Sequence, residues 1–178
     1  MMLEATAAVV AELGSGTRQD RVARRNRLSG TSGFDGVRPA AGRWAHFEHR
    51  ADVGVEGTGA TPAAAFEQAA LALTAIICDP ATVRPEAAVD ICCEEADLEL
   101  LFVDWLNALV YRMATERMLF SGFQVAIDGP RLRARVWGEA VEPVRHRPAV
   151  EVKGATYTAL AVRQQSDGSW IARCVVDV

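Results

Sequence analysis

The pattern of hydrophobic and polar residues predicts two strands and a helix at the start of an ordered region that begins near residue 43. RWAHFEH (43–49) and ADVGVEG (51–57) have the composition of strands. Thr61 is a suitable N-cap for the following helix, and Pro62 suits its first position because the first turn leaves its amides unpaired. Asp79-Pro80 ends this helix. Its apolar face consists of Phe66, Ala69, Ala70, Leu73, Ile76 and Ile77.

A further strand and helix and then a run of strands are predicted for the rest of the chain. VDICCE (89–94) is a strand, and Asp97 caps a helix. The apolar face of that helix consists of Leu98, Leu101, Phe102, Trp105, Leu109 and Met113. Strands are then predicted for MLFSGFQVAI (118–127), RLRARVWGEA (131–140), AVEVKG (149–154), TYTALAVRQ (156–164) and SWIARCVVD (169–177). In RLRARVWGEA, alternation directs the arginines outward and Leu132, Ala134 and Val136 inward.

The order ββαβα followed by several strands predicts an α+β fold, in which two helices pack on mostly antiparallel β-sheets. Composition divides the chain at residue 42. Residues 1–42 are rich in Gly, Ser, Thr and Arg without apolar periodicity, which predicts a poorly ordered Arg-rich tail. Residues 43–178 form the predicted domain, and their net charge is −6. Such an acidic domain is not expected to bind nucleic acid stably by itself.

The sequence contains no signal for a membrane or for self-sufficient catalysis. No apolar run approaches the ~20 residues that span a bilayer, so we expect a cytoplasmic protein. A Walker loop, G-x-G-x-x-G, G-x-S-x-G and H-E-x-x-H are all missing, which argues against a self-sufficient enzyme. The cysteines form no C-x-x-C pair and are predicted to be small buried residues rather than zinc ligands. They are Cys78, Cys92, Cys93 and Cys174.

Three polar clusters are candidate functional sites. The first is EHRAD (48–52), the second lies within 138–157, and the third is Asp177-Val178. The second cluster contains Glu139, Glu142, Arg145, His146, Glu151 and Lys153. For the first two clusters, a solvated loop or a satisfied ion pair is the simpler interpretation. For Asp177, a frayed strand end is an alternative of equal weight.

Asp177 is unexpected in the closing segment WIARCVVDV, because Asp is depleted in strands. Together with Asp52 it could bind a hard cation, with the terminal carboxylate or a backbone carbonyl adding oxygens. Such donors suit Ca²⁺ or Mg²⁺ rather than Zn²⁺. His46 and His49 are three residues apart on a strand and hence on opposite faces, so they do not chelate one metal. His146 is either a base or, as is more common, a residue that holds a loop.

Lysine usage is also unusual. Eighteen of the nineteen basic residues are arginines, and the one lysine is Lys153. A compact ammonium on a flexible stem differs from a planar guanidinium, so this position could require lysine. Chance is an equally weighted explanation.

Four separated segments resemble the archease family. They are FEHRADVGVEGTGATPAAAFEQAALAL, DLELLFVDWLNALVYRM, GEAVEPVRHRPAVEVKGATYTALAV and WIARCVVDV. The resemblance covers about residues 43–178 and implies a small α+β protein that assists the RtcB-type RNA ligase. That ligase seals 2′,3′-cyclic phosphate and 5′-hydroxyl ends in tRNA splicing and RNA repair. The resemblance implies an activator that catalyses no reaction of its own. Such a protein promotes guanylylation of a ligase histidine, allows multiple turnover and broadens the nucleotides that the ligase can use.

The resemblance also implies which residues form the site. The family's metal site, usually taken to hold calcium, maps to Asp52, Asp177 and Val178, with Mg²⁺ or Mn²⁺ as alternative ions. A lysine implicated in activation maps to Lys153, and Asp52 and Asp177 are expected to take part in activation. The candidate supporting residues are His49, Glu139 and His146. No catalytic residue is implied.

This chain departs from the family pattern in two motifs. The family's H-T-A-D reads HRAD at 49–52, which keeps Asp52. The family's T-Y-H reads TYT at 156–158, so Thr158 replaces a histidine, and a role for that histidine does not carry over. Two other functions are alternatives. A general chaperone would expose an apolar patch, and a stand-alone metal-dependent RNA phosphoesterase would use His146 and the metal.

Overall fold

The computed structural model describes residues 42–178, so the tail predicted for residues 1–42 lies outside the described residues except for Gly42. The strands are β1 (Arg43–His49), β2 (Asp52–Gly59), β3 (Ala87–Glu94), β4 (Met118–Asp128), β5 (Arg131–Ala140), β6 (Gly154–Ala155), β7 (Ala161–Gln164) and β8 (Trp170–Asp177). The helices are α1 (Pro62–Ile77), α2 (Leu98–Glu116) and the short α3 (Pro143–His146), with a 3₁₀ turn at Pro80–Thr82.

Two antiparallel sheets form the β part of the fold. The larger sheet has the order β1-β2-β8-β6, and β7 also pairs with β8. β6 pairs with the end of β8, whereas β7 pairs with its beginning, so β8 is an interior strand. The smaller sheet has the order β3-β5-β4. The predicted α+β class, with two long helices on antiparallel sheets, is confirmed.

The predicted helix caps are confirmed. Each cap is formed by residues close together in the sequence, which is why the sequence could predict it. The Thr61 hydroxyl accepts a hydrogen bond from the Ala64 amide at 3.1 Å. The Asp97 carboxylate accepts one from the Leu100 amide at 2.8 Å. Asp79 begins the 3₁₀ turn that follows α1, so this helix ends where the Asp-Pro pair predicted. Each cap satisfies an amide that the first turn leaves unpaired.

Small residues allow α1 to lie unusually close to β2. A Cβ atom on Gly57 would lie 2.1 Å from the Ala65 carbonyl oxygen and 2.4 Å from the Ala69 nitrogen. A Cβ atom on Gly59 would lie 2.6 Å from the Ala64 Cβ. Helix and strand therefore meet almost backbone to backbone. The odd-numbered residues of β2 face α1, and its even-numbered residues face the opposite side of the sheet.

Aromatic residues join α1 to α2 in the core. The Phe66 and Phe102 rings have centroids 4.9 Å apart, and the Trp105 indole donates to the Phe66 carbonyl oxygen at 3.2 Å. This hydrogen bond offsets the free-energy cost of burying the indole N–H. The largest fully buried side chains are Trp105, Phe66, Phe102, Phe120, Leu73, Ile91, Leu101, Leu106, Leu109, Leu119, Leu132 and Val55.

The alternation predicted for β5 is confirmed. Leu132, Ala134 and Val136 are buried, and Arg131 and Arg133 are exposed. Arg135, also on the outer face, is half-buried and forms two hydrogen bonds to the Asp90 carboxylate on β3. These bonds lower the pKa of Asp90 below its ordinary value.

The two strands predicted before β8 are shorter than expected. Within AVEVKG only Gly154 enters a strand, because Ala149 donates its amide to the Ile77 carbonyl at the end of α1 instead. Within TYTALAVRQ, residues 156–160 form a turn with Ala159 at a φ of +52°, and only 161–164 form a strand. The short helix α3 was not predicted, although the Glu142 carboxylate caps its first amides.

The close approach of α1 and β2 predicts that Gly57→Ala is strongly destabilising. The added methyl group meets helix backbone, which cannot rotate away, so we expect a loss of about 2–3 kcal/mol in the free energy of unfolding. Chemical denaturation measures this loss. Gly129→Ala is the control, because a Cβ there meets nothing within 4 Å and only the left-handed φ of +55° opposes it. A smaller loss for Gly57→Ala than for Gly129→Ala would contradict the packing.

Candidate functional site

Strand pairing brings Asp52 and Asp177 to the same end of the larger sheet. β2 and β8 pair in antiparallel register from Gly59 opposite Trp170 to Val53 opposite Val176. Asp52 and Asp177 are the next residues along each strand, and side chains directly opposite each other in such a ladder have Cβ atoms about 5 Å apart. The predicted juxtaposition of the first and third polar clusters thus follows from the register.

The outer face of the sheet, opposite α1, carries both carboxylates. Glu56 faces Arg173 in the same register, and their side chains form an ion pair at 3.7 Å. The Arg173 guanidinium also lies 4.4 Å from the centre of the Phe47 ring. Asp52 and Asp177 lie four residues further along their strands, and hence on the same face as this pair. Asp177 is exposed and Asp52 is half-buried.

Lys153 joins this sheet end from the segment before β6. Its main-chain amide donates to the Asp177 carbonyl oxygen at 2.9 Å. Its ammonium donates to the main-chain oxygen of Val178 at 2.9 Å and lies 3.7 Å from Asp177 Oδ1. The lone lysine is therefore in contact with both residues of the third cluster. We refer to Asp52, Asp177, Val178 and Lys153 as the sheet-end site.

Asn107 on α2 holds β6, and sequence reasoning missed it. Its side-chain oxygen accepts from the Ala155 amide at 2.9 Å, and its side-chain nitrogen donates to the Ala155 carbonyl at 3.3 Å. This pair of bonds attaches β6 to the helix two residues after Lys153. The available signal was an amide side chain within the largely apolar helical stretch LFVDWLNALV, in which Asp104 is the other polar residue.

The two histidines of β1 lie on opposite faces, as predicted. His46 is within 2.8 Å of the Ala72 carbonyl oxygen of α1 through its Nε2. His49 is paired with Asp52 in the β1–β2 register, on the face that carries the sheet-end site. Its Nδ1 is buried without a hydrogen-bond partner among the described residues. His49 thus adds an unsatisfied polar atom beside Asp52.

Glu139, Arg145 and His146 of the second cluster form a separate buried network. The Arg145 guanidinium donates to both Glu139 oxygens, at 2.6 and 2.7 Å. The Arg84 amide donates to the same carboxylate at 2.6 Å. His146 Nδ1 accepts from the Glu142 amide at 2.9 Å, so Nε2 carries the proton and donates to Glu139 at 3.2 Å.

The carboxylate and the imidazole of this network are buried and hydrogen-bonded. Glu139 is 5% exposed and His146 is 3% exposed. Hydrogen bonds from Arg145 hold the pKa of Glu139 at about 2, below its ordinary value of 4.5. With both ring nitrogens engaged, His146 holds the 143–150 segment and is not presented as a base.

The donor set of the sheet-end site fits a hard cation. Two carboxylates and a main-chain oxygen are the ligands that Ca²⁺ and Mg²⁺ prefer. A metal site built from side chains alone requires at least three converging His, Cys, Asp or Glu residues. Residues 42–178 contain no such group. The oxygens of Asp177 and Val178 already attract one cationic group, the Lys153 ammonium.

The cysteines do not contribute to this site. Cys78, Cys93 and Cys174 are buried, and Cys92 is half-buried. Burial raises the pKa of the Cys174 thiol to about 12, so it is a neutral core residue. Among the described residues, no helix is long and apolar enough to cross a bilayer.

Known proteins are similar to this chain in both sequence and fold. Residues 44–178 match the model of the Archease protein family (MTH1598/TM1083). Protein archease of Pyrococcus furiosus is 38% identical over 140 residues, which cover 76% of this chain and 99% of that protein. Protein archease of Methanosarcina acetivorans is 35% identical over 146 residues, covering 79% and 99%.

A solved structure agrees with these matches. The solution structure of Methanobacterium thermoautotrophicum protein 1598 has a TM-score of 0.64 and 32% identity, and covers 76% of this chain and 98% of that one. The fold class and the sequence matches together define a small α+β protein of the same family as these relatives. The chain belongs to the archease family.

The buried network predicts a defined acid limb of folding stability. Because the folded pKa of Glu139 lies below its ordinary value, its contribution is complete above about pH 4.5 and is lost as the pH falls toward 2. We expect the wild type to lose about 2–3 kcal/mol over this range from this group alone. Denaturant titrations between pH 2.5 and 7 should show this loss in the wild type and its absence in Glu139→Gln.

Glu94→Gln is the matched control for that experiment. Glu94 is exposed and its ion pair with Arg131, at 3.4 Å, lies on the surface. Such pairs contribute at most about 1 kcal/mol, so its acid limb should follow the wild type. An acid limb in Glu139→Gln as steep as that of the wild type would contradict the role of this carboxylate.

Loss of the Asn107 side chain should loosen β6. Asn107→Ala removes both bonds to Ala155, and we expect the Ala155 amide to exchange with solvent about tenfold faster. Amide exchange by NMR measures this. Thr115→Ala, which removes an exposed hydroxyl from the same helix, should leave the Ala155 amide unchanged. Equal protection in Asn107→Ala and the wild type would contradict the attachment.

Proposed function

We propose that this protein is a divalent-metal-binding accessory factor that activates an RtcB-type RNA ligase, and not an enzyme itself. It promotes ligase guanylylation and multiple turnover in tRNA splicing or RNA repair, in the cytoplasm. Membership of the archease family supports a role beside an RNA ligase. The observation that carries the proposal is the sheet-end site, where the register aligns Asp52 with Asp177 and Lys153 contacts Asp177 and Val178.

The sheet-end residues have distinct tasks in this proposal. Asp52, Asp177 and the main-chain oxygen of Val178 hold the cation, which is Ca²⁺ in the first place, with Mg²⁺ and Mn²⁺ as alternatives. A bound divalent cation supplies positive charge against phosphate oxygens during nucleotidyl transfer. The side chain of Asp177 is 52% exposed, so a partner's active site can reach it.

Lys153 contributes a mobile positive charge. Its side chain is 64% exposed, and an ammonium group has three donors and no fixed direction. It can pair with a nucleotide phosphate or with a carboxylate of the ligase. Asn107 positions Lys153 by fixing β6. The hydrogen bond from the Lys153 main-chain amide to the Asp177 carbonyl oxygen keeps the two residues in register.

The two alternative functions have less support. A chaperone would expose a contiguous apolar patch, whereas the exposed large hydrophobic residues of 42–178 come from three separate segments of the chain. They are Trp44, Val144, Val150 and Tyr157. A stand-alone RNA phosphoesterase would need His146 as an accessible base, and this ring is buried with both nitrogens engaged. Neither alternative uses Asp52 and Asp177 together with Lys153.

A guanylylation and turnover assay tests the proposal. The ligase from the same organism is supplied with GTP, Mn²⁺ and nicked RNA in excess, with and without this protein. We expect the wild type to stimulate both steps, and Asp52→Asn, Asp177→Asn and Lys153→Gln to lose about tenfold or more of the stimulation. Calorimetry should show Ca²⁺ binding that Asp52→Asn and Asp177→Asn weaken.

Glu48→Gln is the matched control. Glu48 is an exposed carboxylate in the same hairpin, but it is paired with Val53 and so lies on the opposite face from Asp52. Its loss should leave stimulation and Ca²⁺ binding unchanged. Full stimulation by Asp177→Asn would defeat the proposal. Absence of stimulation by the wild type, with an active ligase, would favour the chaperone, and RNA cleavage without ligase would favour the phosphoesterase.

A further inference from the structure

The Lys153 ammonium occupies oxygens that the proposed cation needs. It donates to the main-chain oxygen of Val178 at 2.9 Å and lies 3.7 Å from Asp177 Oδ1. Both residues belong to the donor set of the sheet-end site. The positive charge that now balances Asp177 therefore comes from the protein itself.

The backbone of Lys153 is fixed while its side chain is free to move. The Lys153 main-chain amide donates a hydrogen bond to the Asp177 carbonyl oxygen at 2.9 Å, and β6 begins at the next residue. The side chain is 64% exposed, so nothing encloses the ammonium in its present position. The side chain can thus leave its oxygens without any change in the strand register.

We propose that the Lys153 ammonium and the divalent cation compete for the oxygens of Asp177 and Val178, so that cation binding releases Lys153 toward the partner. This inference rests on the proposed function, because it assumes a cation at the sheet-end site. Metal loading and presentation of the lysine become one event. A metal-free protein keeps its lysine folded back on Asp177 and is inactive for that reason.

Two magnitudes decide that the lysine leaves rather than stays beside the cation. A charge of +2 and a charge of +1 held about 4 Å apart in a water-like dielectric repel each other by an amount equal to about thirtyfold in an equilibrium constant. An exposed ion pair such as that of Lys153 and Asp177 is worth at most about fivefold. Release of the ammonium therefore costs less than its retention.

The same comparison explains why lysine, in a chain with eighteen arginines, suits this position. A guanidinium would bind the Asp177 carboxylate through two parallel hydrogen bonds and would be harder to displace. A single ammonium on a flexible stem holds the oxygens in the absence of metal and yields them to a divalent ion. Competition thus predicts an order of Ca²⁺ affinities among variants of this one residue.

Calorimetric titration of the full chain with Ca²⁺ tests that order. Lys153→Gln removes the competitor and should bind Ca²⁺ about two- to fivefold more tightly than the wild type. Lys153→Arg should bind more weakly than the wild type. Arg163→Gln is the control for net charge, because Arg163 is exposed on β7 and faces Ile171 near the beginning of β8. Its Ca²⁺ affinity should equal that of the wild type.

A second measurement follows the lysine itself. Because Lys153 is the only lysine, its acylation by an amine-reactive ester can be followed by mass spectrometry of one peptide. We expect its modification rate at fixed pH to rise severalfold when Ca²⁺ saturates the wild type. Asp177→Asn should modify at the faster rate with or without Ca²⁺, because its lysine has lost the carboxylate.

The outcomes separate this inference from the proposed function. Equal Ca²⁺ affinity in Lys153→Gln and the wild type, or a modification rate unchanged at saturating Ca²⁺, would overturn the competition and leave the metal site standing. Absence of Ca²⁺ binding by the wild type and by Lys153→Gln would overturn the metal site and the competition together. Neither readout involves the ligase, so its activation is tested independently.

Discussion

Antiparallel pairing between β2 and β8 is the constraint on which both the fold and the sheet-end site depend. β8 pairs with β2 on one edge and with β6 and β7 on the other, so it orders the larger sheet. A slip of one residue would turn every side chain of β8 to the opposite face. Buried Cys174 and Val176 would then face outward, and Asp177 would face the core. The apolar side of β8 thus holds the carboxylates of Asp52 and Asp177 in alignment.

Helices on the inner side of this sheet reinforce the same register. Gly57 lets α1 lie against β2, and Asn107 attaches β6 to α2. The position of α1 on β2 is restricted because Gly57 lies against helix backbone atoms. The position of β6 is restricted because Asn107 satisfies both main-chain polar groups of Ala155. Strands on both edges of β8 are therefore positioned by helices that do not contribute to the site chemistry. Rigid support of this kind keeps a few exposed groups in place on an otherwise ordinary sheet end.

The charged clusters around Glu139 and at the sheet end differ in how completely their charges are satisfied. Around Glu139, one guanidinium, one main-chain amide and one imidazole satisfy the carboxylate in a buried setting. Such a network stabilises one conformation of the 143–150 segment and leaves neither oxygen of Glu139 unpaired. At the sheet end, the exposed Lys153 ammonium is the balancing charge of Asp177 within residues 42–178. The proposed binding of a cation and a partner is therefore assigned to the sheet end.

Sequence alone determined the elements whose causes are local: the capped helices α1 and α2, the alternating strands and the residue types of the site. It did not predict β6 as a two-residue strand, the turn at 156–160, helix α3 or the role of Asn107. Those features depend on hydrogen bonds to distant backbone, as when Ala149 bonds to Ile77. The family resemblance implied that Asp52, Asp177 and Lys153 share a site. Only the tertiary structure decided the register that aligns Asp52 with Asp177 and the contacts of Lys153, because strand register is set by packing between segments far apart in the chain.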